Sequence, residues 1–302
     1  MYETIIIGAG IAGLTAAMYA SRKKMNYEVF GKEFGGQFQV SGEVLNYPGI
    51  VKTTGVDFMM IMQEQMKFNQ VNVKPETVKE IQKQGENFKV ITDKGEYETE
   101  TVIIASGSFA RKLNVPGEAE FDKKGVTYCS VCDGPLFKQK PVIVIGGGDS
   151  AMEAVDFMKN ISSHTTMLVR GPELKGHKYL MENIQKLENL EIIYNAETTE
   201  ILGDKFATGL KYKVGDEEHQ LDAEGIIVEI GRIPTTDFVK DFVELDDHQH
   251  IVVDCQGHTN IPGIFAAGDC ASGHEYQYVL AAGQGCMSLL KAARYLAGKQ
   301  RK

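Results

Sequence analysis

Cysteine is scarce, with five in 302 residues, too few and too unevenly spread for a disulfide scaffold. Any two cysteines standing close together therefore call for a chemical reason. Long apolar runs are missing as well, since none approaches the ~20 residues that cross a bilayer. Met1-Tyr2-Glu3-Thr4 runs directly into Ile5-Ile6-Ile7, without the basic start and cleavable apolar segment of a secretory signal. An excess of basic charge is absent too: 32 Lys+Arg stand against 41 Asp+Glu, a net charge of −9, which repels phosphate backbones. These absences lead us to expect a soluble, cytoplasmic protein with neither a membrane nor a nucleic-acid partner. With 43% apolar and 24% charged residues the chain is globular rather than disordered. Its length suits about two domains of ~150 residues each.

One local pattern occurs twice. Residues 4–7 form a short apolar strand, followed by Gly8-Ala9-Gly10-Ile11-Ala12-Gly13 and a helical stretch at 14–23. Residues 142–145 form another, followed by Gly146-Gly147-Gly148-Asp149-Ser150-Ala151 and a helical stretch at 152–160. The first glycine permits a tight turn, the second lets a pyrophosphate approach the backbone, and the third lets helix and strand pack closely. The helix start then offers unpaired N–H groups to the anion. A β-rich segment follows each copy, at 88–105 and at 209–230, and each copy closes on an apolar strand ending in glycine, at Gly107 and Gly231. The expected fold is α/β: two Rossmann-like three-layer dinucleotide-binding domains, each with a small antiparallel β insert.

Beyond the second copy, Ile264-Phe265-Ala266-Ala267-Gly268-Asp269 reads as one strand and 278–297 as one long helix. Neither can bury itself alone, so both are expected to rejoin the first domain. That domain is then discontinuous, 1–114 and 246–302, around a second at 115–245, with Pro116-Gly117 and Asp246-Asp247 at the crossings. Two dinucleotide sites suggest one tightly held flavin and one exchangeable nicotinamide. The flavin goes to the first domain, where Asp269 either offers a carboxylate to a ribityl hydroxyl or caps a helix.

Cys129-Ser130-Val131-Cys132-Asp133 is the close pair. Two cysteines at this spacing can form a small disulfide loop, and a helix start there depresses a thiol pKa. Thiolate is the attacking species. Zinc needs four ligands, and Cys255, Cys270 and Cys286 are isolated, so the redox reading is retained. Asp133 serves either as proton donor and acceptor for thiol exchange or as a turn aspartate ahead of Gly134-Pro135.

In these residues the chain resembles the low-molecular-weight thioredoxin reductase family. The carriers are the two glycine turns, Gly35-Gly36-Gln37, Asn46-Tyr47-Pro48-Gly49, Cys129-x-x-Cys132-Asp133-Gly134 and residues 263–269. Residues 128–138 and 195–200 are similar to the flavoprotein component of alkyl hydroperoxide reductases, whose N-terminal thioredoxin-like domains have no expected counterpart here. The resemblance implies a homodimer with FAD, a rotating nicotinamide domain, and a thioredoxin- or glutaredoxin-like partner supplied in trans. It implies that Cys132 faces the flavin, that Cys129 attacks the partner disulfide, and that Glu33, Gly36, Gln37, Asn46, Asp269 and Gln277 contact FAD. Tyr276 stands where the family usually has a basic residue. NADPH-selective members carry an arginine cluster after the second strand of the nicotinamide domain, where this chain has Arg170, Gly171 and Lys175, following Val169 rather than a ribose-binding acid. NADPH is expected, with NADH and a ferredoxin-type donor as alternatives, and Arg170 and Lys175 either read the 2′-phosphate or are solvated surface charges.

Overall fold

A computed structural model describes residues 1–39, 41, 43–44, 46–273 and 276–299, with the backbone alone for Glu43 and Cys132. The chain divides into two compact units. The first comprises Met1–Val40, Val44–Phe109 and Ile233–Lys302, and the second Ser41–Glu43 and Ala110–Arg232.

The first unit is built on a parallel sheet in the order Ile264–Ala266, Val102–Ile104, Thr4–Ile7, Tyr27–Phe30. Its strands are apolar because both faces are covered, and period-2 alternation sorts their side chains. Ile6, Val29, Ile103 and Phe265 face a core with helices Ile11–Arg22 and Tyr278–Lys299. Ile5, Ile7, Phe30, Val102, Ile104 and Ile264 face another core shared with the antiparallel strands Val78–Gln84, Asn87–Thr92 and Glu96–Thr99. The β-rich segment expected at 88–105 comprises Asn87–Thr92 and Glu96–Thr99 of the antiparallel insert and, after Glu100-Thr101, Val102–Ile104 of the parallel sheet.

The second unit repeats this scheme. Its parallel sheet runs Val126–Thr127, Gly225–Val228, Pro141–Ile145, His164–Val169, Leu190–Tyr194. Val142, Val144, Met167 and Ile227 face helices Asp149–Met158 and Lys178–Ile184. Ile143, Ile145, Leu168 and Ile226 face the antiparallel strands Ala196–Gly203, Ala207–Val214 and Glu217–Asp222. Each unit is thus a three-layer helix, parallel-sheet and antiparallel-sheet sandwich, the α/β class expected from the glycine repeats.

Apart from the short excursion Ser41–Glu43, the chain crosses between units at Phe109/Ala110 and Arg232/Ile233, ahead of Pro116-Gly117 and Asp246-Asp247. Packing accounts for both positions. The Pro116 carbonyl accepts from the Ile201 N–H at 2.9 Å, inside the second unit, and Val239 and Val243 are buried with Ile5 and Ile7, inside the first. No helix among the described residues is long and apolar enough to cross a membrane.

Candidate active site

Within the first unit, close packing fixes the turn after Thr4–Ile7. A Cβ on Gly8, at φ +115°, would lie 2.1 Å from the Ala105 carbonyl oxygen, and one on Gly13 would lie 1.9 Å from that of Gly8. Gly10 differs, because a Cβ there meets nothing within 4 Å. It caps helix Ile11–Arg22 with no side-chain hydrogen bond, so the first N–H groups of that helix face a space that no side chain of the cap fills. Gly36 closes one flank, since its Cβ would stand 3.0 Å from Gly10 Cα. An open glycine at an uncapped helix start is what a dinucleotide pyrophosphate requires, and the residues present fit that group.

The other predicted residues of this unit gather in two clusters. The Gln37 side-chain amide donates to the Ser108 carbonyl at 2.9 Å, and the Ser108 hydroxyl donates to Asp269 Oδ2 at 3.3 Å. Asn46 Nδ2 donates to Gln277 Oε1 at 2.9 Å. Gly268, at φ +74°, faces Ala12 of the glycine turn, and its N–H donates to Gln284 Oε1. Glu33 is exposed, close in sequence to a surface cavity of about 400 Å³ lined by Gly31, Lys32, Phe34, Gln63, Lys67 and Val73. Ser108, which joins Gln37 to Asp269, and Gly31, whose Cβ would meet that of Ala9 at 2.6 Å, escaped the sequence reading.

In the second unit, Gly146 at φ +145° packs against the Glu229 carbonyl and Ala151 Cβ, and Gly148 caps helix Asp149–Met158 with no side-chain bond. Nothing comes nearer than 3.7 Å to a Cβ on Gly148, so this turn also fits a pyrophosphate. Asp149 takes a different role from a solvent-facing carboxylate. Its Oδ1 accepts from the His177 backbone N–H at 2.7 Å and its Oδ2 pairs with His177 Nδ1 at 2.8 Å. With the Lys175 N–H on the Gly147 carbonyl at 2.8 Å and Leu174 buried, these bonds pin residues 174–177 to the glycine turn. Arg170, Lys175 and Ser150 are exposed. His177 was not anticipated.

The cysteine motif follows strand Val126–Thr127 in the same unit. Cys129 is half-buried, and the short helix Ser130–Asp133 carries Cys132; the Cys132 side chain lies outside the described residues. The Cys129 N–H donates to Thr127 Oγ1 at 3.2 Å, Thr127 Oγ1 donates to Asp133 Oδ2 at 2.5 Å, and the Asp133 N–H returns to the Cys129 carbonyl at 3.2 Å. A Cβ on Gly134, after Asp133, would stand 2.8 Å from the Met158 sulfur, so a larger residue there must displace that side chain.

Two carboxyls flank this turn. Buried Glu118 accepts from the Leu113 and Asn114 N–H groups and from the Tyr128 hydroxyl at 2.9 Å; burial and this bond push the Tyr128 phenol upward. Glu229 is pushed up to about 7, chiefly by burial, with the nearby Arg232 charge and a Ser130 backbone hydrogen bond opposing and Glu153 adding to it. Cys255, Cys270 and Cys286 are free, and burial pushes the Cys270 thiol up. The described residues hold no group of three or more His, Cys, Asp or Glu that suits a metal ion.

Comparison with known proteins accords with this geometry. Residues 2–291 match the family model of the pyridine nucleotide-disulphide oxidoreductases. The chain is 38% identical over 301 residues to the F subunit of alkyl hydroperoxide reductase of Staphylococcus aureus, covering 98% of this chain and 59% of that protein; it thus spans under two thirds of that relative's length. Among solved structures it is similar to Lactococcus lactis thioredoxin reductase, with a TM-score of 0.79, 34% identity and 99% and 100% of the two chains covered. Thioredoxin reductase from Streptococcus pyogenes gives a TM-score of 0.82 at 32% identity, with 99% of each chain covered. Two uncapped glycine turns, a C-x-x-C motif beside the second, and a family match over nearly the whole sequence lead to one conclusion: the chain belongs to the pyridine nucleotide-disulphide oxidoreductases.

Proposed function

We propose that the chain is an FAD-dependent disulfide reductase that passes electrons from NAD(P)H through Cys129 and Cys132 to a thioredoxin- or glutaredoxin-like protein, as a cytoplasmic homodimer. The observation that carries this reading is the hydrogen-bonded turn holding Cys129 and Asp133 through Thr127, in a chain similar along its whole length to thioredoxin reductases. The disulfide-bonded state of Cys129 and the free state of Cys255, Cys270 and Cys286 support pairing of Cys129 with Cys132.

Bound FAD supplies a two-electron carrier between a hydride donor and a disulfide. Gly8, Gly10, Gly13 and Gly36 receive its pyrophosphate at the start of helix Ile11–Arg22, and Glu33 takes the ribose end. Gln37, Asn46, Gly268, Asp269 and Gln277 hold the remainder. Gly146, Gly148, Asp149, Ser150 and Ala151 form the nicotinamide dinucleotide turn, with Arg170 and Lys175 supplying positive charge for a 2′-phosphate, so NADPH is preferred over NADH. Cys132 faces the flavin, Cys129 attacks the partner's disulfide, and Asp133 gives and takes the proton.

Similarity to the F subunit of alkyl hydroperoxide reductase favours one second reading, in which NADH is the donor and the partner is a thioredoxin-like protein linked to a peroxidase. Anaerobic titration of the yellow protein with NADPH and then NADH separates the two by which coenzyme bleaches it at lower concentration. In the same experiment Cys132→Ser is expected to keep coenzyme-driven bleaching and to lose reduction of an added thioredoxin. A colourless protein, or one whose turnover survives the substitution, refutes the proposal.

A further inference from the structure

Thr127 ends the strand Val126–Thr127, aligned with Ile227 in the parallel sheet, and is only 5% exposed. Its χ1 is stiff, as for any β-branched residue, so sheet pairing and burial fix the direction of its hydroxyl. That hydroxyl accepts from the Cys129 N–H at 3.2 Å and donates to Asp133 Oδ2 at 2.5 Å, the short end of the range for a hydroxyl bonded to a carboxylate. The Asp133 N–H closes the ring on the Cys129 carbonyl at 3.2 Å. One side chain thus ties the backbone of one motif residue to the carboxylate of another, four positions along the chain.

We infer that Thr127 is a positioning residue for dithiol exchange, orienting the Asp133 carboxylate and anchoring Cys129 in a single frame; this rests on the reading of Cys129 and Cys132 as the redox pair. With Oδ2 committed to Thr127, proton traffic falls to Oδ1. In the exchange, the deprotonated Cys129 sulfur bonds to one sulfur of the partner disulfide as that S–S bond breaks. That first step releases the other partner sulfur as a thiolate; the Cys132 sulfur, losing its proton, then bonds to the Cys129 sulfur as the Cys129–partner bond breaks, and the partner sulfur held in that mixed disulfide leaves. Two electrons and two protons pass to the partner, which leaves as a dithiol, and the chain's pair is oxidised. Asp133 accepts a thiol proton and returns it to a departing thiolate.

The test compares the flavin-loaded protein with Thr127→Val, which keeps shape and loses the hydroxyl, and with Thr127→Ser, which restores the hydroxyl. Iodoacetamide alkylation of Cys129 after dithiothreitol reduction is followed by mass spectrometry, and flavin bleaching by NADPH is recorded alongside. Misplacement of a reacting group by about an ångström costs on the order of a hundredfold, so Thr127→Val is expected to slow alkylation at least tenfold. Thr127→Ser is expected to stay within about twofold of the unsubstituted protein, and bleaching to be unchanged in both. Thr127→Val combined with Asp133→Asn should alkylate no slower than Asp133→Asn alone, because the two act as one unit. Should Thr127→Val not fold, Thr127→Ala takes its place. Wild-type alkylation in Thr127→Val, or equal slowing in Thr127→Ser, overturns the inference. Failure of the redox reading itself shows separately, as persistent thioredoxin reduction by Cys129→Ser.

Discussion

Glu229 lies one residue past the buried strand Gly225–Val228, and its carboxyl is pushed up to about 7 because burial outweighs the Arg232 charge and the Ser130 hydrogen bond. In the unfolded chain the same carboxyl titrates near its ordinary value of 4.5. Between these values the folded state binds more protons than the unfolded one, so the contribution of this group is fully present below about 4.5 and is lost as pH rises through about 7. The shift corresponds to at most about 3 kcal/mol. Glu229→Gln is therefore expected to flatten the decline in urea midpoint between pH 5 and pH 8, and an unaltered slope would discard this account. Burial of this kind is invisible in a sequence, where Glu229 is one more acid in an acidic chain. Ser108 and His177 escape a sequence for another reason, remote partners. Ser108 meets partners 71 and 161 positions away, and His177 meets Asp149 across 28, separations that leave no local spacing to read. The glycines and the cysteine pair were legible because their neighbours in sequence are also their neighbours in space.

Element by element, legibility followed apolar pattern. Thr4–Ile7, Val102–Ile104, Pro141–Ile145, Gly225–Val228 and Ile264–Ala266 are short apolar runs and stood out, whereas Tyr27–Phe30, Val126–Thr127 and Leu190–Tyr194, of mixed composition, did not. The antiparallel inserts were expected, but their outer strands were not read: Val78–Gln84 buries only Val78 and Ile81, and Glu217–Asp222 buries nothing, since it is a strand by virtue of pairing with Ala207–Val214. Helix Tyr278–Lys299 was recognised as helical, but its tight seat on helix Ile11–Arg22 was not. A Cβ on Gly285 would stand 2.0 Å from the Ala12 carbonyl oxygen, which is backbone and cannot swing aside. Gly285→Ala is expected to destabilise the protein by at least about 2 kcal/mol, read as a lowered thermal midpoint. A midpoint equal to that of the parent would mean that the two helices separate at little cost.

For the molecule as a whole, the decisive feature is that one unit is a nearly continuous stretch of chain while the other is assembled from both ends. The strand Ile264–Ala266, fully buried, forms the edge of the first unit's sheet beside Val102–Ile104, and the helix that follows covers Ala16, Ala20 and Leu14 in the same core. A chain ended at residue 262 is expected to lose protease resistance in the first unit while a fragment spanning roughly 110–232 survives digestion. Equal resistance of both parts would contradict the division. Translation imposes an order on the same layout. The ribosome delivers every residue of 110–232 before it delivers Ile264, so the interior module can finish first. The opening segment meanwhile waits with the Val102–Ile104 edge unpaired and the apolar side of its first helix uncovered, a nascent-chain state that depends on chaperones or speed to escape clumping.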